Sequence, residues 1–171
     1  MTASSSSSVA SSWPGSRLGE WPRPLRLFVT GFLLTLSFGY SLGLAHVWEK
    51  TGLNVSGIQS RYGATETETH YPKSLGELLE TTHNHTITFS FIFLALGAIF
   101  SLTPTPPRLK AALLVEPWIA IPVTMSSMFG TRYVSPHFGY LMFAASLVTA
   151  ATFAAMVLAS LAALWLDWKR E

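Results

Sequence analysis

Residues 138–166 read FGYLMFAASLVTAATFAAMVLASLAALWL, which is 29 consecutive positions without a charged side chain. As a helix this stretch would be about 43 Å long. A hydrocarbon layer of about 30 Å needs about 20 apolar residues, so the stretch is long enough to cross a membrane with some tilt. We therefore predict that these residues form a membrane-spanning helix.

Three more stretches share this composition, namely 25–47, 86–102 and 111–129. The chain has 11 basic and 9 acidic residues, yet the four stretches contain only Arg26 and Glu116. A soluble domain interleaves charges with its core positions, so the pattern argues against that class of protein. The sequence predicts an all-α integral membrane four-helix bundle with one membrane domain, residues 25–171, and with spans at about 25–47, 83–102, 111–129 and 137–166.

The basic residues predict the orientation of the chain. With the N-terminus in the cytoplasm, seven basic residues lie on the inner side (Arg17, Arg23, Arg26, Arg108, Lys110, Lys169 and Arg170) and four on the outer side (Lys50, Arg61, Lys73 and Arg132). The positive-inside rule therefore places both termini in the cytoplasm. The Ser-rich residues 1–24 predict a disordered cytoplasmic tail, with an organelle transit peptide as the alternative.

The outer loop, residues 48–82, contains a predicted helix start. Ser74 and Glu77 have the spacing of a capping box, and nothing between Glu77 and Leu102 interrupts a helix. The second span is therefore expected to begin outside the membrane as a short outer-surface amphipathic helix, whose apolar stripe is Leu75, Leu78, Leu79 and Thr82. The polar segment 52–69 predicts irregular backbone.

Small residues recur every four positions in the first span, at Gly31, Thr35, Gly39 and Gly43. Such a face lets a second helix approach closely in a membrane. His46 follows Gly39 by seven residues and is expected near the same face.

The histidines carry the main functional signal. In the predicted topology all five lie on the outer side, and four of them (His46, His83, His85 and His137) lie at the outer ends of three different helices. Imidazoles on facing helices are how four-helix membrane proteins hold haem b. We expect one of His83 and His85 to face the bundle, because residues two apart on a helix point about 200° apart.

Three alternatives for these histidines stay open at this stage. The cluster could hold haem b or another porphyrin-type cofactor, with Arg132 near the propionates. A set of three histidines could hold zinc or copper instead. The histidines could also bind no cofactor, because an imidazole is well tolerated at a membrane interface.

Glu116 is a carboxylate inside the third span. Ionisable groups within spans are costly and usually face the bundle interior or water, which suggests proton or cation handling. The alternative is a carboxylate near the interface that pairs with a basic residue such as Arg108.

Two segments carry a resemblance to known proteins. ELLETTHNH, residues 77–85, leads into an apolar helix with Gly97 and resembles a segment, ELLxxTHxH, of small bacterial four-helix membrane proteins. RYVSPHFGYL, residues 132–141, is similar to a second segment of such proteins. The resemblance implies their fold and a membrane location, without a particular chemistry. The histidine layout also resembles the haem b-bearing membrane anchors of respiratory enzymes at the level of architecture.

These observations predict a subunit of a larger, electron-transfer membrane complex in the bacterial inner membrane, with haem b or a similar cofactor at the outer histidines. The alternatives are a non-catalytic accessory or assembly subunit, a zinc or copper site, and a small proton-handling transporter. Lipid and other membrane subunits are the expected partners. The net charge of +2 does not indicate nucleic acid. The absence of cysteine excludes disulfides and covalently attached haem.

Overall fold

The computed structural model describes residues 17–63 and 73–166. These residues form a short 3-10 turn, Leu18–Glu20, and five α-helices: α1 Arg23–Thr51, α2 Val55–Tyr62, α3 Leu75–Ser101, α4 Pro107–Tyr133 and α5 Phe138–Trp165. The described part of the chain contains no strand. Most of the predicted N-terminal tail, residues 1–16, lies outside the described residues, as does His70.

Four of the helices, α1, α3, α4 and α5, are long and apolar enough to cross a membrane. Helix α5 is the most apolar of the four, and its sequence contains no charged residue. The predicted fold class, an all-α membrane four-helix bundle, is confirmed.

Helix α5 is the centre of the bundle and packs against each of the other four helices. Its buried side chains Phe153 and Met156 share one apolar core with Leu33 of α1, Phe93 of α3 and Ile121 of α4. Tyr40 of α1 stacks on Phe153 with ring centroids 4.0 Å apart. Phe93 meets the edge of Phe153 at 6.3 Å, so one aromatic ring of α5 joins three helices.

In the predicted orientation, which defines the inner and outer ends of the helices, the inner end of α1 contacts the end of α5 through Trp165. The indole Nε1 of Trp165 donates a hydrogen bond to the hydroxyl of Thr30 at 2.8 Å. The guanidinium of Arg26 lies 4.3 Å from the centroid of the same indole, within the range of a cation–π interaction. By contrast, residues 41–50 of α1 are all exposed, so the outer part of this helix packs against little.

Close packing of α3, α4 and α5 depends on small residues and short connections. A side chain on Gly97 would begin 3.2 Å from Leu114, so α3 and α4 approach closely at this point. At the inner turn, Lys110 donates hydrogen bonds to the carbonyls of Ser101 at 2.8 Å and of Thr103 at 2.6 Å. These bonds satisfy carbonyl groups that the end of α3 leaves without helical donors.

The start of α3 is the capping box that the sequence predicts. The backbone N–H of Ser74 donates to Glu77 Oε2 at 2.7 Å, and the N–H of Glu77 donates to Ser74 Oγ at 3.3 Å. The helix continues without a break to Ser101, so its outer amphipathic part is the beginning of the second span. Leu78 is buried on that part, whereas Leu75 and Leu79 are exposed.

The predicted irregular backbone of residues 52–69 is wrong for α2, which occupies 55–62. The side chain of Asn54 caps this helix by accepting a hydrogen bond from the N–H of Gly57 at 2.7 Å. Ile58 and Tyr62 lie on one helical face and pack against Leu78 and Met128. The segment 52–69 is polar overall, so the two apolar positions of α2 did not predict a helix. Packing against neighbouring helices supplies stability that a helix of this length lacks by itself.

Helix α5 also begins differently from the expectation that 137 opens the fourth span. The helix starts at Phe138, and the side chain of His137 makes no capping bond. Ser135 still acts as a local cap, because its hydroxyl accepts a hydrogen bond from the N–H of His137 at 3.3 Å. The backbone from Ser135 to Tyr140 first forms bonds between residues three apart, a 3-10 pattern common at helix ends.

Candidate functional site

The histidines expected to form a cofactor site lie at the outer ends of three helices. His46 is near the end of α1, His83 and His85 are in the third turn of α3, and His137 immediately precedes α5. All four side chains are exposed. The structure therefore places them on the surface and not in the interior of the bundle.

We expected one of His83 and His85 to face the bundle; both side chains are exposed, so the bundle encloses neither of them. The nearest buried residue of α3 is Leu78. His85 follows Leu78 by seven residues and lies on nearly the same side of the helix, whereas His83 lies off that side. His85 Nδ1 lies 2.9 Å from the carbonyl oxygen of Thr81, and its ring centroid lies 5.7 Å from that of Phe89. When Nδ1 donates to this carbonyl, Nε2 is left as an exposed acceptor.

His46 and His137 each contact a neighbour on their own helix end. His46 Nδ1 lies 3.8 Å from Glu49 Oε2, which makes an ion pair when the imidazole is protonated. The ring of His137 stacks on Tyr140 with centroids 6.4 Å apart. These contacts orient the two rings locally and do not connect one histidine with another.

The donor set of one chain does not fit a zinc or copper ion within residues 17–63 and 73–166. No group of three or more His, Asp or Glu side chains that could hold a metal ion is present there. A zinc site needs three or four such ligands at about 2.0–2.3 Å.

The surface beside His85 also does not fit a haem from one chain alone. An open depression of about 320 Å³ lies there, and its lining is Lys73, Glu77, Glu80, Thr81, Asn84 and His85. Polar and charged side chains of this kind do not form the apolar walls that enclose most of a large ligand. A haem on these histidines therefore requires walls from another protein.

Two charged groups of this depression have shifted pKa values. Hydrogen bonds from the backbone and hydroxyl of Ser74 lower the pKa of Glu77 below its ordinary value of 4.5. Desolvation, followed by the nearby charge of Arg61, lowers the pKa of Lys73 from its ordinary value. The carboxylate shift follows from the capping box and the lysine shift mainly from partial burial, so both have structural causes.

Arg132, the predicted contact for haem propionates, donates hydrogen bonds to two segments of the outer loop. Its Nε donates to the carbonyl of Lys73 at 3.2 Å, and Nη1 donates to the carbonyl of Gly63 at 3.5 Å. Its guanidinium also lies 5.6 Å from the ring of Tyr133. One side chain of α4 thus contacts the segments on both sides of residues 64–72.

The small residues of α1 face away from the bundle. A Cβ atom built on Gly31, Gly39 or Gly43 would meet no atom of another described helix within 4 Å, and Thr35 is exposed beside them. We call these four residues the small-residue face. The opposite side of α1, which includes Val29 and Leu33, is the side buried against the bundle.

The side chain of Glu116 contacts α5. Oε1 accepts a hydrogen bond from the hydroxyl of Thr149 on α5 at 3.1 Å. Oε2 is buried and has no hydrogen-bond partner in the part of the chain that the structure describes. In the described residues no basic side chain lies within ion-pair distance of Glu116, so the expected pairing with a residue such as Arg108 does not form.

Sequence reasoning identified Glu116 but missed the side chains that surround it. Thr149 lies 33 residues further along the chain, and Tyr40, whose phenol interacts electrostatically with Glu116, lies on another helix, α1. Nothing in the local sequence marks Thr149 among the other hydroxyl residues of α5. The contact depends on the rotation of α4 against α5, which only the packed structure defines.

Comparison with known proteins supports the membrane architecture. A family model described as a transmembrane helical domain matches residues 52–171, which include α2 to α5 and exclude α1. No curated protein and no solved structure matches the chain significantly.

Proposed function

Because the chain belongs to the family described as a transmembrane helical domain, we propose that it is a non-catalytic subunit of a larger membrane complex. In this proposal the bundle lies in the bacterial inner membrane, and the small-residue face of α1 binds a helix of another membrane protein. The protein is a multi-pass membrane protein with four candidate spans. The function of a subunit of this kind is to bind and position its partners within the lipid.

The uncovered small-residue face is the observation that carries the proposal. Lipid tails are as apolar as leucine, so helices in a membrane associate through close packing and not through the hydrophobic effect. Gly39 and Gly43 allow such packing, yet no atom of another described helix packs against them. The bundle itself is held by the opposite side of α1, so the small-residue face is available for another helix.

Charge at the inner end of α1 favours a different protein over a second copy of this chain. Arg17, Arg23 and Arg26 lie in or next to the first turn of α1, and Glu20 is the acidic residue among them. Two parallel copies crossing at the small-residue face would bring these basic ends together, which is unfavourable. We therefore expect the partner to present an apolar helix with acidic residues at its inner end.

A Gly39→Leu substitution tests the proposal. The leucine fills the close-approach surface without changing the buried side of α1, so we expect the complex to dissociate while the bundle stays folded. The measurement is the mass of the complex on native gels after mild detergent extraction, together with crosslinking from a photoreactive residue at position 43. Ala45→Leu is the matched control, because Ala45 is exposed on α1 outside the small-residue face and the change adds a leucine of the same size.

Two results would contradict the proposal. If Gly39→Leu and Ala45→Leu leave the complex equally intact, the small-residue face is not the docking surface. If position 43 crosslinks to a second copy or to lipid alone, the partner is not a different membrane protein.

A haem b shared with the partner, as part of an electron-transfer complex, is the second candidate function. The orientation of His85 favours it, because its Nδ1 is held by a backbone carbonyl and its Nε2 is exposed. Metal-bound histidines commonly have their second nitrogen fixed in this way. The partner would supply the apolar walls that this chain lacks, and bound haem would carry electrons.

Absorption spectra of the intact complex and of the isolated chain test this second candidate. We expect a Soret band in the complex and none in the isolated chain. The band should be lost in His85→Ala but kept in Asn84→Ala, which alters the neighbouring exposed position of the same depression. A colourless complex of full mass would refute the haem and leave the docking proposal standing.

A further inference from the structure

When Glu116 is ionised, it shares one hydroxyl donor, that of Thr149, with the carbonyl of Ala145. The hydroxyl oxygen of Thr149 lies 3.1 Å from Glu116 Oε1 and 3.0 Å from the carbonyl oxygen of Ala145. Both of these atoms are acceptors when the carboxyl is ionised, and a threonine hydroxyl has a single proton to donate. The hydroxyl therefore leaves one of its two close acceptors without a full hydrogen bond.

A proton on Glu116 completes this arrangement without moving any atom. Oε1–H would donate to the hydroxyl oxygen of Thr149, and that hydroxyl would donate to the carbonyl of Ala145. Oε2 would then be the carbonyl oxygen of a neutral acid. Leaving this buried and unpartnered atom without a donor costs much less in a neutral acid than in a carboxylate.

Among residues 17–63 and 73–166, no cation lies close enough to Glu116 to hold it ionised. On its own helix, Lys110 is bound to the carbonyls of Ser101 and Thr103, and Arg108 is exposed at the inner end. On α1, the guanidinium of Arg26 lies against Trp165, and the titratable group that interacts with Glu116 is the phenol of Tyr40.

The two other long helices also bring no positive charge near Glu116. In α3 the ionisable residues Glu77, Glu80, His83 and His85 all lie in the first three turns, at the outer end. In α5 the titratable residue is Tyr140, also at the outer end. Glu116 itself lies nine residues, or about 13 Å, along α4 from Pro107, inside the apolar part of the helix.

From this geometry we propose that Glu116 is a proton-binding site inside the membrane, with Thr149 as the hydrogen-bond relay between the acid and the carbonyl of Ala145. Its ligand is a single proton. The site holds that proton on an oxygen that shares a hydrogen bond with a neighbouring helix, so gaining or losing the proton changes the contact between α4 and α5. This site is independent of the docking function proposed for α1.

Infrared spectroscopy of the full chain in lipid vesicles at neutral pH tests this proposal. We expect the carbonyl band of a protonated carboxylic acid, which shifts in deuterated water because its proton exchanges. The band should be lost in Glu116→Gln and kept in Glu77→Gln, which removes an exposed carboxyl. In Thr149→Val the band should move to higher wavenumber, because the acid loses its hydrogen-bond acceptor. This variant tests the assignment even if Glu116→Gln fails to fold.

An apolar carbodiimide provides a second readout on the same vesicles. Its central carbon bonds to an oxygen of the protonated acid while the acid proton moves to a carbodiimide nitrogen, so a carboxylate without a proton does not form the adduct. We expect mass spectrometry to find the adduct on Glu116 and not on Glu77 or Glu80. A carboxylate band in place of the acid band, or an acid band that sodium chloride abolishes, would overturn the proposal in favour of an ionised or cation-binding group.

Discussion

Arg132 shows how much one side chain contributes to the outer surface of this bundle. Its two hydrogen bonds reach the carbonyls of Gly63 and Lys73, which flank the segment 64–72. The planar guanidinium can donate hydrogen bonds to two carbonyl groups at once, whereas the ammonium group of lysine cannot do so with the same geometry.

We predict that Arg132→Ala loosens both of these segments without unfolding the spans. Removing the hydrogen bonds from this charged group should cost about 1.5 kcal/mol, which corresponds to an increase of about tenfold in local opening. Hydrogen exchange of the backbone amides at 60–63 and 73–76 measures this opening. Arg132→Lys should have an intermediate effect, and Arg108→Ala, at the inner end of the bundle, should leave these amides unchanged. Equal exchange in Arg132→Ala and the parent chain would refute the role of this side chain.

The sequence was least informative about the contacts that single side chains make. Glu116 was recognisable because an acid inside an apolar stretch is rare and costly. Its partner Thr149 was not, since the identity of the partner depends on how two helices are rotated against each other. The same reason explains His83 and His85, because spacing gives their relative direction on the helix but not which direction the bundle covers.

At the level of the helix, local chemistry determines where α3 begins. The capping box of Ser74 and Glu77 was predictable because each residue satisfies a backbone N–H of the other, and this requires only the correct spacing. Helix α2 escaped prediction because it has eight residues, too few for propensity alone to stabilise a helix. Its contacts with Leu78 and Met128 supply the stability that its own sequence lacks.

The stability of the first turn of α3 is predicted to depend on pH through Glu77. The folded carboxyl has a pKa below its ordinary value of 4.5, so the ionised form stabilises the helix start. That stabilisation is fully present above pH 4.5 and is lost as the pH falls through the lower pKa of the folded state. Hydrogen exchange of the amides of Glu77 and Leu78 across this range should show the loss.

Substitutions at the start of α3 separate this effect from general acid destabilisation. Glu77→Gln should remove the pH dependence of these amides, whereas Glu80→Gln, one turn further along, should preserve it. An unchanged acid response in Glu77→Gln would show that another group controls the start of the helix.

For the whole molecule, composition was enough to predict the class of fold. The scarcity of charge over four long stretches, which contain only Arg26 and Glu116, reflects the cost of placing charge in hydrocarbon. This constraint acts on every span independently of its neighbours. The arrangement of the spans depends on how the side chains of neighbouring helices fit together, which composition does not predict. That α5 contacts every other helix depends on features such as the close approach at Gly97 and the aromatic ring of Phe153.

The uneven attachment of α1 has a mechanical consequence for the bundle. Trp165 contacts the first part of this helix, and the ring of Tyr40 stacks on Phe153 at its middle. At its end, Thr51 is buried and lies against Gly57 of α2, whereas residues 41–50 between these contacts are exposed. A sideways force on the exposed segment, at Gly43 or His46, is therefore borne by Thr51 on one side and by Tyr40 on the other, and the tyrosine interacts electrostatically with Glu116.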